Sequence, residues 1–400
     1  MNFAALKSAN FRIYLGGSFL GLLSLWMQRV TSGWLAWEMT GSTSFVGLVA
    51  MVQFAPSIVL SPLFGVWADR LNLKRAALAV QGVNLAIALG FLALAALGGL
   101  TPLPLVLLSL FSGITAAANH PVRMSLTPRL VRRERIGSVV NLVAINFNVG
   151  RMVGPALGGA LIAKAGIVPA LAVQAALYLP YVLALTRLTL RPRRDAGLDH
   201  APFFRALAGG LRHVWQTPLI WRAMVIVAVL SPVARGTLEI LPPLADGVFG
   251  RGAGGLGTML STAGIGAVLG GLTKGLLPPQ TPGRMPWLSL VFVLIGLALV
   301  PLLGVVRVWE QALAIVGGLA FVTTLVAISM QTAIQLELDD DMRGRVMSLW
   351  AVVAAGGSAL GAGILGLLAD AFGYGATLLG AGSAAGAGLG LYFAFIAARR

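Results

Sequence analysis

The 400-residue chain contains no cysteine, only three histidines and 13 acidic residues. The missing cysteine excludes disulfides, thiolate metal sites and cysteine nucleophiles. The histidines (His120, His200, His213) all fall in or beside polar stretches, with no HExxH or clustered ligand pattern. No metal or other cofactor is therefore expected. A Gly-x-x-x-x-Gly-Lys-[Ser/Thr] phosphate loop is also absent, so ATP-driven pumping would need a partner subunit. No paired-carboxylate motif points to catalysis, and the chain reads as a non-enzyme. Charge itself is scarce: 10% of residues are charged, against about 25% in soluble domains. With 58% hydrophobic residues, such a chain cannot clothe itself in polar surface, and its solvent is mostly lipid.

What is present is a series of apolar runs of about twenty residues, the length that crosses a hydrocarbon core of about 30 Å. Twelve are expected, near 11–37, 44–67, 76–99, 102–122, 137–163, 168–188, 219–243, 254–276, 286–305, 310–335, 345–369 and 376–397. The first is too long for the h-region of a cleavable signal and lacks an Ala-x-Ala exit, so it reads as a true span. Of the 29 Lys and Arg residues, Lys164, Arg251 and Arg307 fall on one side and Arg29, Arg151 and Arg235 inside spans; the rest share the side of both termini. The positive-inside rule makes that side cytoplasmic. The net charge of +16 is thus a topology signal, and no nucleic-acid partner is expected.

The longest polar stretch, 186–216, divides the chain into an N-terminal bundle (1–188), a cytoplasmic linker (189–216) and a C-terminal bundle (217–400). Within the linker, "FFRALAGGLRHVW" reads as an amphipathic helix on the membrane face, with Arg205 and Arg212 toward headgroups. A displacement of 207 residues lays Gly150 on Gly357, Gly154 on Gly361, Gly159 on Gly366 and Gly166 on Gly373; one of 206 lays Arg29 on Arg235 and Thr31 on Thr237. Span five thus mirrors span eleven, and span one mirrors span seven. Two like halves of six spans suggest alternating access around a midplane site, the device of secondary transporters.

At "GVWADRLNLKR" (65–75) the sequence resembles the signature between helices 2 and 3 of the major facilitator superfamily. Gly65, Asp69 and Arg70 match in place; Asn72 stands where the family has glycine, and the basic pair Lys74 and Arg75 comes one residue late. Asn tolerates left-handed backbone, so a tight turn is expected to survive there. The resemblance implies that these residues form a cytoplasmic charge-relay latch. The stretch "NVGRMVGPALGG" (148–159) is similar to the fifth-helix signature of the superfamily's drug and metabolite exporters: Gly150, Gly154, Pro155, Gly158 and Gly159 match, while the glycine expected at 141 is Asn. Its repeat copy keeps Gly357, Gly361 and Gly366 but has Ala362 in place of the proline. Over essentially the whole chain the sequence looks like the subgroup containing enterobactin and macrolide efflux proteins. The resemblance implies an all-α integral membrane protein of twelve helices in two pseudo-symmetric six-helix bundles, a monomer in the bacterial inner membrane with both termini cytoplasmic. It also implies a secondary exporter of a small amphipathic molecule (a drug, siderophore or metabolite), with protons as coupling ion and the lipid bilayer as partner. Uptake, lipid flipping and, from another class, a non-transporting sensor or membrane enzyme stay open as alternatives.

Glu239, four residues after Arg235, is the candidate proton-coupling group; protonating it would free Arg235 for an anion, although a plain intrahelical ion pair that lowers the cost of two buried charges is the simpler explanation of the spacing. Arg29, Arg151 and Arg235 are candidates for the substrate cavity, because intramembrane charges usually face a bundle interior or a water-filled path. Cations there would suit a carboxylate, catecholate or phosphate-bearing cargo. Arg29 has an equally weighted alternative, an outward pairing with Glu38. Trp34 and Trp37 read as interfacial anchors.

Overall fold

The structure, a computed structural model, describes residues 4–70, 72–191, 203–278 and 280–398; within these, the side chains at 62, 65–70, 133, 203–207, 340, 341, 343, 344 and 395–398 lie outside the description. It is all-helical among those residues. The first half comprises α1 (Ala9–Thr40), α2 (Thr43–Arg70), α3 (Leu73–Ala96), α4 (Pro102–Leu126), α5 (Ile136–Ala165) and α6 (Ile167–Arg187). The short α7 (Phe203–Gln216) follows, then α8 (Pro218–Leu230), a π-turn Ser231–Arg235 and α9 (Gly236–Glu239), which together form one rod. The remaining elements are a π-turn Pro243–Val248, α10 (Gly252–Leu276), α11 (Trp287–Val305), α12 (Trp309–Leu336), α13 (Asp340–Ala351), a π-turn Val352–Gly356, α14 (Gly357–Phe372) and α15 (Tyr374–Ala398).

Among the described residues, eleven helices are long and apolar enough to cross a membrane. The twelfth, α1, has the length but is more polar, and the reason is internal. Its Ser24 donates to the Gln174 carbonyl at 2.7 Å, its Thr31 hydroxyl to Gln174 Oε1 at 3.0 Å, and its Ser32 hydroxyl accepts from Gln53 at 2.7 Å. Gln28 donates to the Ser112 hydroxyl. Gln28, Thr31, Ser24 and Ser32 are all buried. In hydrocarbon such groups are tolerated because each finds a partner inside the protein. Gly41, at φ +59°, ends α1 with its N–H on the Trp37 carbonyl, a left-handed cap that a side chain would strain.

The chain divides into two compact units: 1–41, 52–196 and 250–261 form one, and 42–51, 197–249 and 262–400 the other. The boundary therefore cuts α2 and α10. In the first unit α1 lies between α5 and α6, and α3 lies against α4 and α6. In the second unit α14 packs on the π-turn at 231–235 and on α9, while α11 lies between α12 and α15. The amphipathic stretch expected in the linker is helical as α7; its Gly209 and Gly210 lie against Arg345 of the α13 helix, and Trp215 stacks on Trp221 with ring centroids 4.2 Å apart. Arg205 lies outside the described side chains.

Candidate functional site

The exporter-like glycines of α5 do two jobs. Gly150, Gly154 and Gly158 recur every four residues and so share one face. Side chains added there would meet α1: Leu22 Cβ at 3.0 Å from position 150, Trp26 Cβ at 2.6 Å and the Leu23 carbonyl at 3.1 Å from position 154, and Met27 at 3.4 Å from position 158. Gly159 points elsewhere, toward the first residues of α10, with Gly257 Cα at 2.6 Å and the Ala253 carbonyl at 2.8 Å from an added Cβ. Pro155 sits inside an unbroken α5, where its ring supplies no N–H to the helix ladder. The repeat copy acts alike in the second unit: Gly361 closes on the backbone of Pro232, and Gly366 on Thr43 and Ser44 of α2.

This close approach of α5 to α1 assembles a cation–aromatic cluster. The Arg29 guanidinium lies between two rings, its Cζ 4.7 Å from the Trp26 centroid and 4.3 Å from that of Phe54. Arg151 approaches the same indole, at 5.7 Å. Trp26 in turn meets Phe147 edge-on at 5.7 Å, and Phe147 carries Arg123 at 5.6 Å. Each such contact contributes about 0.5–2 kcal/mol, more as water is excluded. Two of the three candidate cavity arginines thus share one tryptophan. Glu38 is exposed and makes no ion pair among the described residues; nine residues of helix, about 13 Å of rise, separate it from Arg29. Trp34 is buried, with 9% exposure, and is no interfacial anchor.

Arg123 is a site residue that sequence reasoning missed. The run near 102–122 stops short of it, but α4 continues to Leu126 through Pro121. The usable signal was the spacing of Asn119 and Arg123, which puts both polar groups on one helix face. Arg123 lines a recess of about 410 Å3, including the space at its mouth, within the first unit.

Arg235 falls in the second unit, beside an apolar recess of about 270 Å3 with Ser231, Thr323 and Ala354 among its lining. It ends the π-turn that begins at Ser231, where Pro232 withholds a helical N–H and the ladder shifts to wider turns. No ion pair joins Arg235 to Glu239 in spite of their four-residue spacing, and both are half-buried. Ser231 donates to the Ala354 carbonyl of the facing π-turn at 2.6 Å.

At the expected latch, the side chains of Gly65, Asp69 and Arg70 lie outside the described residues. Asn72 departs from the left-handed turn expected of it. Its φ is −67°, and its Oδ1 accepts from the N–H groups of Lys74 (3.1 Å) and Arg75 (3.2 Å), capping α3. Asn serves both conformations, and here the unsatisfied donors of a helix start decide. Lys74 Nζ donates to the Thr186 and Leu188 carbonyls at 2.7 and 2.8 Å, closing the end of α6, while Arg75 is exposed. A second acid, unremarked in the sequence, acts at the opposite end of α2. Asp370 accepts from the Thr43 and Ser44 N–H groups (2.7 and 3.0 Å) and from the hydroxyls of Ser42 and Ser44 (both 2.6 Å). It caps the start of α2 from α14, beside Gly366.

The family model described as transmembrane secretion effector, of the major facilitator superfamily, matches residues 1–398. The enterobactin exporter EntS of Shigella boydii serotype 18 is 30% identical over 402 residues, spanning 98% of this chain and 91% of that protein. The enterobactin exporter EntS of Escherichia coli strain SMS-3-5 is 29% identical with the same coverage. Among solved structures, the nucleoside transporter NupG matches with a TM-score of 0.68 at 15% identity, covering 95% of this chain and 98% of that one. A bacterial homolog of the human lysosomal transporter Spinster, inward-facing and occupied, matches with a TM-score of 0.70 at 16% identity, covering 97% and 96%. At such identities the structures carry the fold alone.

Proposed function

The chain belongs to the transmembrane secretion effector family of the major facilitator superfamily, and from that premise we propose that it is a proton-coupled exporter of a small, amphipathic, anionic molecule. Membership makes it a multi-pass membrane transporter and not an enzyme. The proposal adds direction, cargo charge and coupling, and places a monomer in the bacterial inner membrane with both termini cytoplasmic. The observation that carries it is the arrangement of Arg29 and Arg151 around Trp26, a cation–aromatic surface inside the first unit. A carboxylate, catecholate or phosphate would be drawn by the guanidinium donors while an aromatic or aliphatic body rests on the rings. A cationic drug would meet like charge. The exporter names of relatives that span nearly the whole chain support the outward direction.

Proton coupling is assigned to Glu239, a half-buried acid of the seventh span that makes no ion pair among the described residues. Alternating access would expose it to each side in turn. The latch role for Gly65, Asp69, Arg70, Asn72, Lys74 and Arg75, and the cavity role of Arg235, belong to the same proposal. The test uses full-length protein in proteoliposomes under an imposed pH gradient, with enterobactin as the first cargo. Accumulation against the cargo gradient, collapsed by a protonophore, is expected; movement that ignores the pH gradient would remove the coupling.

A further inference from the structure

We infer that the recess at Arg123 is a second oxyanion-binding site, wholly inside the first unit, that takes the carboxylate of a small organic acid. The recess is bordered by five helices, α1, α3, α4, α5 and α6. Among the residues that line it, three buried polar atoms make no well-formed hydrogen bond: Arg123 Nε and the hydroxyls of Tyr14 and Tyr178, the last two lying near the Tyr181 and Ser24 hydroxyls. Both tyrosines are only 1% exposed. Leaving such groups unsatisfied is costly, and they are usually engaged unless a ligand is to engage them.

The neighbouring amides are committed to one another. Gln81 donates to Asn119 Oδ1 at 3.1 Å, Asn84 to Gln81 Oε1 at 3.3 Å, and Thr115 to Asn84 Oδ1 at 2.6 Å. This chain fixes the amide orientations and uses up acceptors while Arg123 keeps its donor. No acidic side chain lines the recess. A cation with two tyrosine hydroxyls and no carboxylate is the complement of an oxyanion, and the fork of Arg suits a planar carboxylate. Leu22, Leu25 and Val143 supply apolar wall for the body of the ligand. Phe147 then links Arg123 to Trp26, and so to Arg29 and Arg151. That the ligand is cargo in transit rests on the export reading; that the recess binds a carboxylate does not.

The experiment measures benzoate binding by calorimetry to full-length protein in which Arg29→Gln has weakened the Trp26 cluster. Benzylamine serves as the matched cation. Lipid nanodiscs of phosphatidylglycerol or phosphatidylcholine separate a free acid from a lipid headgroup. Benzoate should bind and benzylamine should not. Adding Arg123→Gln should weaken benzoate at least tenfold, and Arg123→Lys should restore it only in part. Tyr14→Phe and Tyr178→Phe should each weaken it several-fold, with melting temperatures measured alongside to separate binding from folding. Benzoate affinity indifferent to Arg123 and both tyrosines would overturn the site, as would its abolition in phosphatidylglycerol discs alone, which would hand the recess to a lipid. Absence of proton-driven flux with Arg123-dependent benzoate binding would sink the export reading and leave the site standing.

Discussion

Replacing single glycines of α5 and α14 by alanine perturbs the packing that brings the cation cluster together, in a graded way. Every Gly→Ala change in a helix gains about 0.5–1 kcal/mol from backbone propensity. At position 158 the new methyl meets Met27 at 3.4–3.6 Å, ordinary contact, so the gain should survive. At position 154 it lies 2.6 Å from Trp26 Cβ and 3.1 Å from the Leu23 carbonyl. Overpacking of that kind costs about 1–3 kcal/mol, which leaves a net loss of about 1 kcal/mol. At position 361 it overlaps the Pro232 carbonyl oxygen and lies 2.5 Å from two more backbone atoms, which no rotamer change relieves. The cost there should reach the top of that range, for a net loss of about 2 kcal/mol. Thermal unfolding of detergent-purified protein, followed by tryptophan emission, should therefore rank Gly158→Ala above wild type, then Gly154→Ala, then Gly361→Ala. Gly154→Ala should in addition reduce cargo affinity, because it pushes α5, with Arg151, away from Trp26. Equal melting temperatures for all three variants would refute the packing argument.

Asp370→Ala removes the acceptor of two helix-start N–H groups and two hydroxyls; capping losses run about 0.5–2 kcal/mol, so melting should fall by a few degrees, and an unchanged melt would reduce the contact to decoration. Asn72→Ala should cost about 1 kcal/mol and Asn72→Gly only a few tenths, as for any helix cap; a stabilising glycine would instead indicate a left-handed turn. Glu239→Gln should abolish proton-driven flux while leaving cargo exchange and melting near wild type; full driven flux would place the proton elsewhere.

The spans were legible because apolar runs of bilayer length leave few alternatives, and α1 was legible despite its polarity because its polar residues interrupt the run no more than two at a time. The glycine register was legible too: Gly154 and Gly361 each remove bulk where a neighbouring backbone comes closest. Arg123 was not, because Pro121 made a helix end credible where the helix in fact continues. Neither was the absence of an Arg235–Glu239 ion pair, since a four-residue spacing permits such a pair without requiring it and the surrounding packing decides. Asn72 shows the same limit on a smaller scale: one residue type suits two turn conformations, and unsatisfied N–H donors selected one. Trp26 and Phe54, the rings that organise Arg29, are far from it or one turn away in sequence, and single-sequence reading had no sign that they would converge.

The most direct test of an anion-selective exporter is a matched-charge competition. Binding of an aryl carboxylate and of the aryl amine of the same size should be measured on Arg123→Gln protein, in which the recess is silenced, and on the same protein with Arg29→Gln or Arg151→Gln added. The carboxylate should bind the Arg123→Gln protein at least tenfold more tightly than the amine, and each added substitution should erase most of that preference. Tighter binding of the amine, or a preference untouched by both substitutions, would contradict recognition of an anionic cargo by this cluster.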